Sequence, residues 1–152
     1  MFEVGNLLLF KPFHFKNGAS PKSKFMVVLG KEVAGNVVLA SLPTSKDHVP
    51  SDIEVKGGCL DLPDRQVNVF VFLAGEGITT AQDGCQIFSF NVNTFIYGSD
   101  LDSYPIAAFQ QQIADKYSEV QLVGRISDGY FTALRDCLKS SKMVKNKYKR
   151  ML

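Results

Sequence analysis

Residues 22–46 read KSKFMVVLGKEVAGNVVLASLPTSK, two apolar runs separated by a polar turn. The first run, residues 25–29, ends at Gly30. The second, residues 37–40, is entered through Gly35-Asn36 and closes near Pro43. Apolar runs of about 4–6 residues, rich in β-branched side chains and bounded by Gly, Pro or Asn, predict strands rather than helices. Paired as neighbours, these two strands bring the segment ahead of the first close to the segment behind the second.

Working outward, residues 7–10 (LLLF) form another short strand, closed by Lys11-Pro12. Residues 11–24 then read as a long basic loop containing Asn17-Gly18, Pro21 and no acid. Loops of that length in small domains often carry function. Residues 46–66 are polar and irregular and read as an excursion from the sheet. Residues 67–73 are the strongest strand, with Val67, Val69, Val71 and Leu73 on one face and Phe70 and Phe72 on the other. Such a strand is buried on both sides. Residues 86–97 alternate as a half-buried strand with a break near Asn91. Helical spacing of Ile106, Phe109 and Ile113 predicts a helix over residues 105–117, and residues 120–126 read as a strand. Ser127 stands as the N-cap of a last helix that puts Phe131, Leu134 and Leu138 on one stripe. The fold class expected is α+β, mainly β, with a C-terminal helix and an elaborated middle region.

The chain has 152 residues, 45% hydrophobic and 21% charged. That length suits one domain, read as residues 1–140 followed by a basic tail over 141–152. The formal charge of +2 conceals a split: residues 1–134 carry a net −4 and residues 135–152 a net +6. Most tails of this composition are solvated or frayed, although Lys142, Lys145, Lys147 and Lys149 can hold phosphates. Cys59, Cys85 and Cys137 lie far apart without CxxC spacing, which argues against a disulfide scaffold or zinc finger. The thiols read as small core residues of a reduced, cytoplasmic protein. No basic n-region opens the chain, and no apolar run approaches the roughly 18 residues of a membrane span.

Gly75-Glu76-Gly77 lacks the third glycine of a dinucleotide fingerprint, and no P-loop, HExxH, GxSxG or calcium-loop pattern occurs. No cofactor and no metal are expected. Polar functional groups gather in two loops. One is residues 11–24, with Lys11, His14, Lys16, Lys22 and Lys24; the other is residues 43–48, with Thr44, Ser45, Lys46 and His48.

The order of Gly5-Asn6 before a strand, a basic loop, KSKFMVVL, and then VVLASLPTSK resembles the MazF/PemK-like toxins. So does Val123-Gly124-Arg125-Ile126-Ser127 leading into a terminal helix. The resemblance covers residues 5–46 and, more loosely, 120–140, leaving residues 46–118 as elaboration. It implies an SH3-like small β-barrel that cleaves single-stranded RNA without a metal: a ribose 2′-OH attacks the adjacent phosphate and expels the 5′-oxygen. By position, the family's catalytic arginine falls nearest Lys24, with Lys22 next, and its catalytic threonine falls on Thr44. A cation and a hydroxyl there stabilise charge building on the phosphate oxygens. The chain departs from the family in having Lys24-Phe25 for Arg-Pro and Gly5-Asn6 for Gly-Asp. Lysine lacks the bidentate fork of guanidinium. The resemblance also implies a homodimer and a small antitoxin whose acidic segment occupies the RNA groove.

The sequence and the resemblance together assign catalysis to Lys24, Thr44 and His14, the last as base. RNA binding is assigned to Lys11, Lys16, Lys22, Ser45, Lys46 and His48. Phe13 and Phe15 offer faces for base stacking, or belong to the core. The competing reading is a non-catalytic module of the same fold that binds nucleic acid or protein.

Overall fold

The computed structural model describes residues 1–82 and 86–152. Among the described residues, eight strands make two antiparallel sheets. Strands β1 (Asn6–Phe13), β2 (Lys22–Lys31) and β3 (Val37–Ser41) are followed by β4 (Gly58–Leu62), β5 (Val67–Phe72) and β6 (Thr94–Tyr97). After β7 (Asp102–Pro105) come helix α1 (Ile106–Ala114), β8 (Glu119–Arg125) and helices α2 (Asp128–Lys139) and α3 (Asn146–Lys149). One sheet has the order β7-β3-β2-β1-β8 and the other β4-β5-β6. The fold is α+β with a predominance of antiparallel strands, as the apolar runs predict.

Alternation along β2 explains why its whole run is apolar. Val27 and Leu29 face the β4-β5-β6 sheet and α2, where they join Phe70, Phe72, Ile96, Leu134 and Leu138. Met26 and Val28 face the other way, into a cluster with Phe10, Phe13, Tyr104 and Phe109 of α1. The five-stranded sheet is thus covered on both faces, the condition under which strands lose polar alternation. Pairing of β1 with β2 sets Leu7 against Val27, and pairing of β2 with β3 sets Val27 against Ser41.

Four expectations are corrected. The supposed loop 11–24 is shorter, because β1 runs through Pro12 to Phe13 and β2 begins at Lys22. The excursion 46–66 contains strand β4, which pairs along β5. Only Thr94–Tyr97 of the expected strand 86–97 joins a ladder; residues 86–93 are held instead by isolated bonds such as Ile78 N–H to Phe88 O at 2.8 Å. Finally, Cys59 and Cys137 are joined in a disulfide that ties β4 to α2. Spacing in sequence could not reveal this, since the two are 78 residues apart and meet only through the sheet. The expectation for Cys85 lies outside the described residues.

The basic end is not a free tail. Val144, Tyr148 and Leu152 are buried in the main core, while the intervening lysines face solvent or the rim. Arg135 donates to the Leu152 carbonyl. Gly30 sits at a register shift between β2 and β3, and a Cβ there would lie 2.0 Å from the Met151 carbonyl oxygen. Backbone cannot swing aside as a flexible side chain does. Gly30→Ala is therefore expected to lift the C-terminal turn and cost about 1–3 kcal/mol, read as a lower urea midpoint and faster proteolysis after Lys142 and Lys145. An unchanged midpoint would show that this contact is dispensable.

Candidate functional site

The β2–β3 pairing generates the site. The ladder ends at Val27 against Ser41, and just beyond it Lys24 reaches the Pro43 carbonyl while Lys22, Lys24, Thr44 and Lys46 line one cleft. The chain leaves the sheet at Pro43, and Thr44 crosses to the second sheet. Its N–H donates to Phe95 O at 3.0 Å, and Phe95 N–H donates back to Thr44 O at 2.8 Å. The hairpin is split open at this point, and the split is a cleft.

Two adjoining clefts share Lys22, Lys24, Thr44 and Lys46 in their walls. One, of about 400 Å³, is completed by Phe25, Pro43, Ser45, Phe90, Asn91 and Val92 among others. The other, of about 800 Å³, extends past Phe15 and Asn17 to His48 and Asp100. Both volumes lie in the range of small-ligand sites. A separate cleft of about 660 Å³ beside the start of α2 contains one acid, Glu76, already engaged by the Tyr130 hydroxyl at 2.6 Å. The chemistry gathers at the lysine clefts.

Lys24 is half-buried, and its ammonium donates to the Pro43 carbonyl at 3.3 Å. Its pKa is lowered, first by burial and then by the charges of Lys22 and Lys46. Among the described residues none of these three lysines forms a salt bridge. Three cations without a carboxylate partner repel one another, and a bound anion relieves that repulsion. Thr44 Oγ1 accepts the Lys46 N–H at 3.2 Å, and its hydroxyl proton has no acceptor among the described residues. It is therefore available to donate to an oxyanion.

Tyr97 fixes the loop carrying Lys46 and His48, a role with no signal in the sequence beyond an aromatic at a strand end. Its hydroxyl donates to Lys46 O and accepts His48 N–H, both at 2.7 Å. Burial, foremost, raises its pKa, so it persists as a donor. The His48 and Tyr97 rings lie 5.6 Å apart.

The structure separates the other assigned residues from this cluster. His14 Nε2 lies 3.0 Å from the Tyr117 carbonyl, and the ring lines neither cleft. Lys16 pairs with Asp102 at 3.0 Å, donates to Ser103 O at 2.6 Å and covers the Tyr104 ring at 4.4 Å. Burial pushes the Tyr104 hydroxyl up to about 12. Lys16 thus belongs to the β7 edge. Lys11 is exposed on β1 opposite Glu119 of β8, away from both clefts. Phe13 is core, whereas Phe15 is half-buried, packs edge-on against Phe13 and lines the larger cleft. Ser45, Lys46 and His48 all reach a cleft wall. Sequence reading missed Phe90, Asn91 and Val92, because residues 86–97 read as a strand whose break near Asn91 carries no sign of the lysine cleft it lines.

No helix of the described residues is long and apolar enough to cross a membrane. No family model, curated protein or solved structure matches the chain.

Proposed function

We propose that the chain is a metal-independent endoribonuclease of the MazF/PemK-like kind, its two sheets forming a divergent SH3-like barrel, and that it cleaves single-stranded RNA in the lysine clefts. The observation carrying this reading is the grouping of Lys22, Lys24 and Lys46, unpaired among the described residues, around the Thr44 hydroxyl. A phosphodiester is the anion that suits it. Lys24 and Thr44 donate to the non-bridging oxygens as the ribose 2′-OH attacks phosphorus. The P–O5′ bond breaks, leaving a 2′,3′-cyclic phosphate and a 5′-hydroxyl. His48, on the rim of the larger cleft, takes the acid–base role first given to His14. Phe15 offers a stacking face for an unpaired base. The family likeness carries with it a cytoplasmic location, a homodimer and a small acidic antitoxin.

Lysine in place of the family's arginine, together with the remoteness of His14, favours one second reading: the same cleft holds nucleic acid without cutting it. Incubation with single-stranded RNA in EDTA separates the two. Fragments with 5′-hydroxyl ends, absent with Thr44→Ala, are expected for the nuclease. Intact RNA across pH 5–8 with salt-sensitive binding would leave the binding module.

A further inference from the structure

Two routes of contact run from the larger lysine cleft to the C-terminal segment. On the first, Phe15 and Asn17 line the cleft, and Lys16 between them pairs with Asp102 at 3.0 Å. Asp102 Oδ1 in turn accepts the Tyr148 hydroxyl at 3.2 Å. The second crosses a further cleft of about 360 Å³, which shares His48 and Asp100 with the larger lysine cleft and has Met143 in its wall.

The segment where these routes end is an anchored platform. Val144, Tyr148 and Leu152 are buried in the main core, so the exposed Lys145 and Lys147 between them project from a fixed backbone. Their ammonium groups lie 5.7 and 5.0 Å from the centre of the Tyr148 ring. Attraction of both cations to one buried ring gathers them against their mutual repulsion. Neither forms a salt bridge among the described residues. Asp102, the carboxylate that the Tyr148 hydroxyl reaches, is already paired with Lys16. Along this chain three ammonium groups meet one carboxylate, and a bound anion relieves the excess charge.

We infer that Lys145 and Lys147 form a second phosphate-binding patch that extends the lysine cleft into a track for a longer single strand of RNA, an inference that rests on the RNA reading above. Asp100 stands on the wall between the two basic groups. It repels phosphate there, so a strand crossing it sets a sugar or base beside it and its phosphates at either end. An acidic peptide would satisfy the charge of the patch, but continuity with the lysine cleft favours one strand that spans both. Ammonium contacts to phosphate read no bases. The patch therefore adds affinity for length and leaves sequence preference unchanged.

The test uses fluorescence anisotropy with a labelled 2′-O-methyl uridine trinucleotide and dodecanucleotide, which lack the attacking hydroxyl and so report binding alone. The trinucleotide is chosen to fill the lysine cleft alone. For the dodecanucleotide, Lys145→Gln/Lys147→Gln is expected to flatten the slope of log affinity against log salt by about 1.4, roughly 0.7 for each lost phosphate contact. Its trinucleotide binding and melting temperature should match wild type. Lys24→Ala should weaken both ligands. Lys56→Gln/Lys116→Gln removes the same charge from exposed positions outside the clefts and should leave both slopes unchanged. An equal loss for both ligands, an equal loss with the Lys56/Lys116 pair, or no loss at all, with Lys24 dependence intact, overturns the patch and leaves the RNA reading standing. Tighter binding of a glutamate-rich peptide than of the dodecanucleotide, dependent on Lys145 and Lys147, would give the patch to an acidic protein and overturn it as well. Absence of binding to both oligonucleotides overturns the patch and the RNA reading together.

Discussion

Reduction of the Cys59–Cys137 disulfide is expected to lower the unfolding free energy by about 4.5 kcal/mol, from the chain-entropy relation for a closed loop of this length. The cross-link encloses most of the second half of the chain, at a sequence separation of 78. Its loss frees the unfolded ensemble far more than it changes the native contacts. In the native state, Cys137 is buried in α2 against the main core, while Cys59 lies exposed on β4, the outer strand of the three-stranded sheet. Reductant therefore reaches the bond from the Cys59 side. Urea unfolding with and without a phosphine reductant measures the effect, and thiol titration must rise by two. The Cys59→Ala/Cys137→Ala variant should behave like the reduced protein. An unchanged midpoint with two thiols released would refute the expectation. The result bears on the cytoplasmic site of action proposed above, where thiols are kept reduced. There the fold must stand on its core alone.

That core was legible in the sequence, and the reason is local. Runs such as residues 25–29 and 67–73 are apolar on both faces, so double burial follows from the side-chain period, and their short length and β-branched content mark them as strands. The approach of residues 22–24 to residues 44–46 was also legible, since antiparallel pairing about a short turn at Gly35 brings the two ends together, although the register shift at Gly30 was not. Lys24 and Thr44 share a cleft for that reason. His14 failed for the opposite reason. Its position depends on β1 continuing through Pro12, and on Tyr117 arriving from a distant segment after α1. Lys16 is likewise captured by Asp102 on a strand that sequence separation hides. The disulfide, the docking of residues 144–152 and the wall at Asn91 share this origin. Each is a tertiary meeting of segments whose local patterns carry no mark of their partner.

Lys24→Ala is expected to slow RNA cleavage by about 10²–10³-fold, the loss typical of removing one donor from a developing oxyanion. Lys22→Ala and Lys46→Ala should cost less in rate, because they act on Lys24 and the phosphate from farther along the groove. They should instead flatten the salt dependence of binding, each by about one counterion. The pH dependence follows from the lowered pKa of Lys24. Only the ammonium form holds phosphate, and burial together with Lys22 and Lys46 makes Lys24 lose its proton earlier than an ordinary lysine as pH rises. Affinity should therefore decline on the alkaline side, starting below the usual lysine range. Bound phosphate opposes that loss by favouring the ammonium, so binding near the transition takes up protons. Lys24→Arg, charged throughout, should keep its affinity where wild-type protein loses it. Loss of Lys46 removes one of the two charges that depress Lys24, so Lys46→Ala should shift the alkaline decline to higher pH. Single-turnover cleavage and anisotropy measured from about pH 7 to 10 decide the matter. Lys24→Ala cleaving at the wild-type rate would remove Lys24 from the reaction. Coincident alkaline limbs for wild type and Lys24→Arg would show that the titrating cation lies elsewhere in the groove.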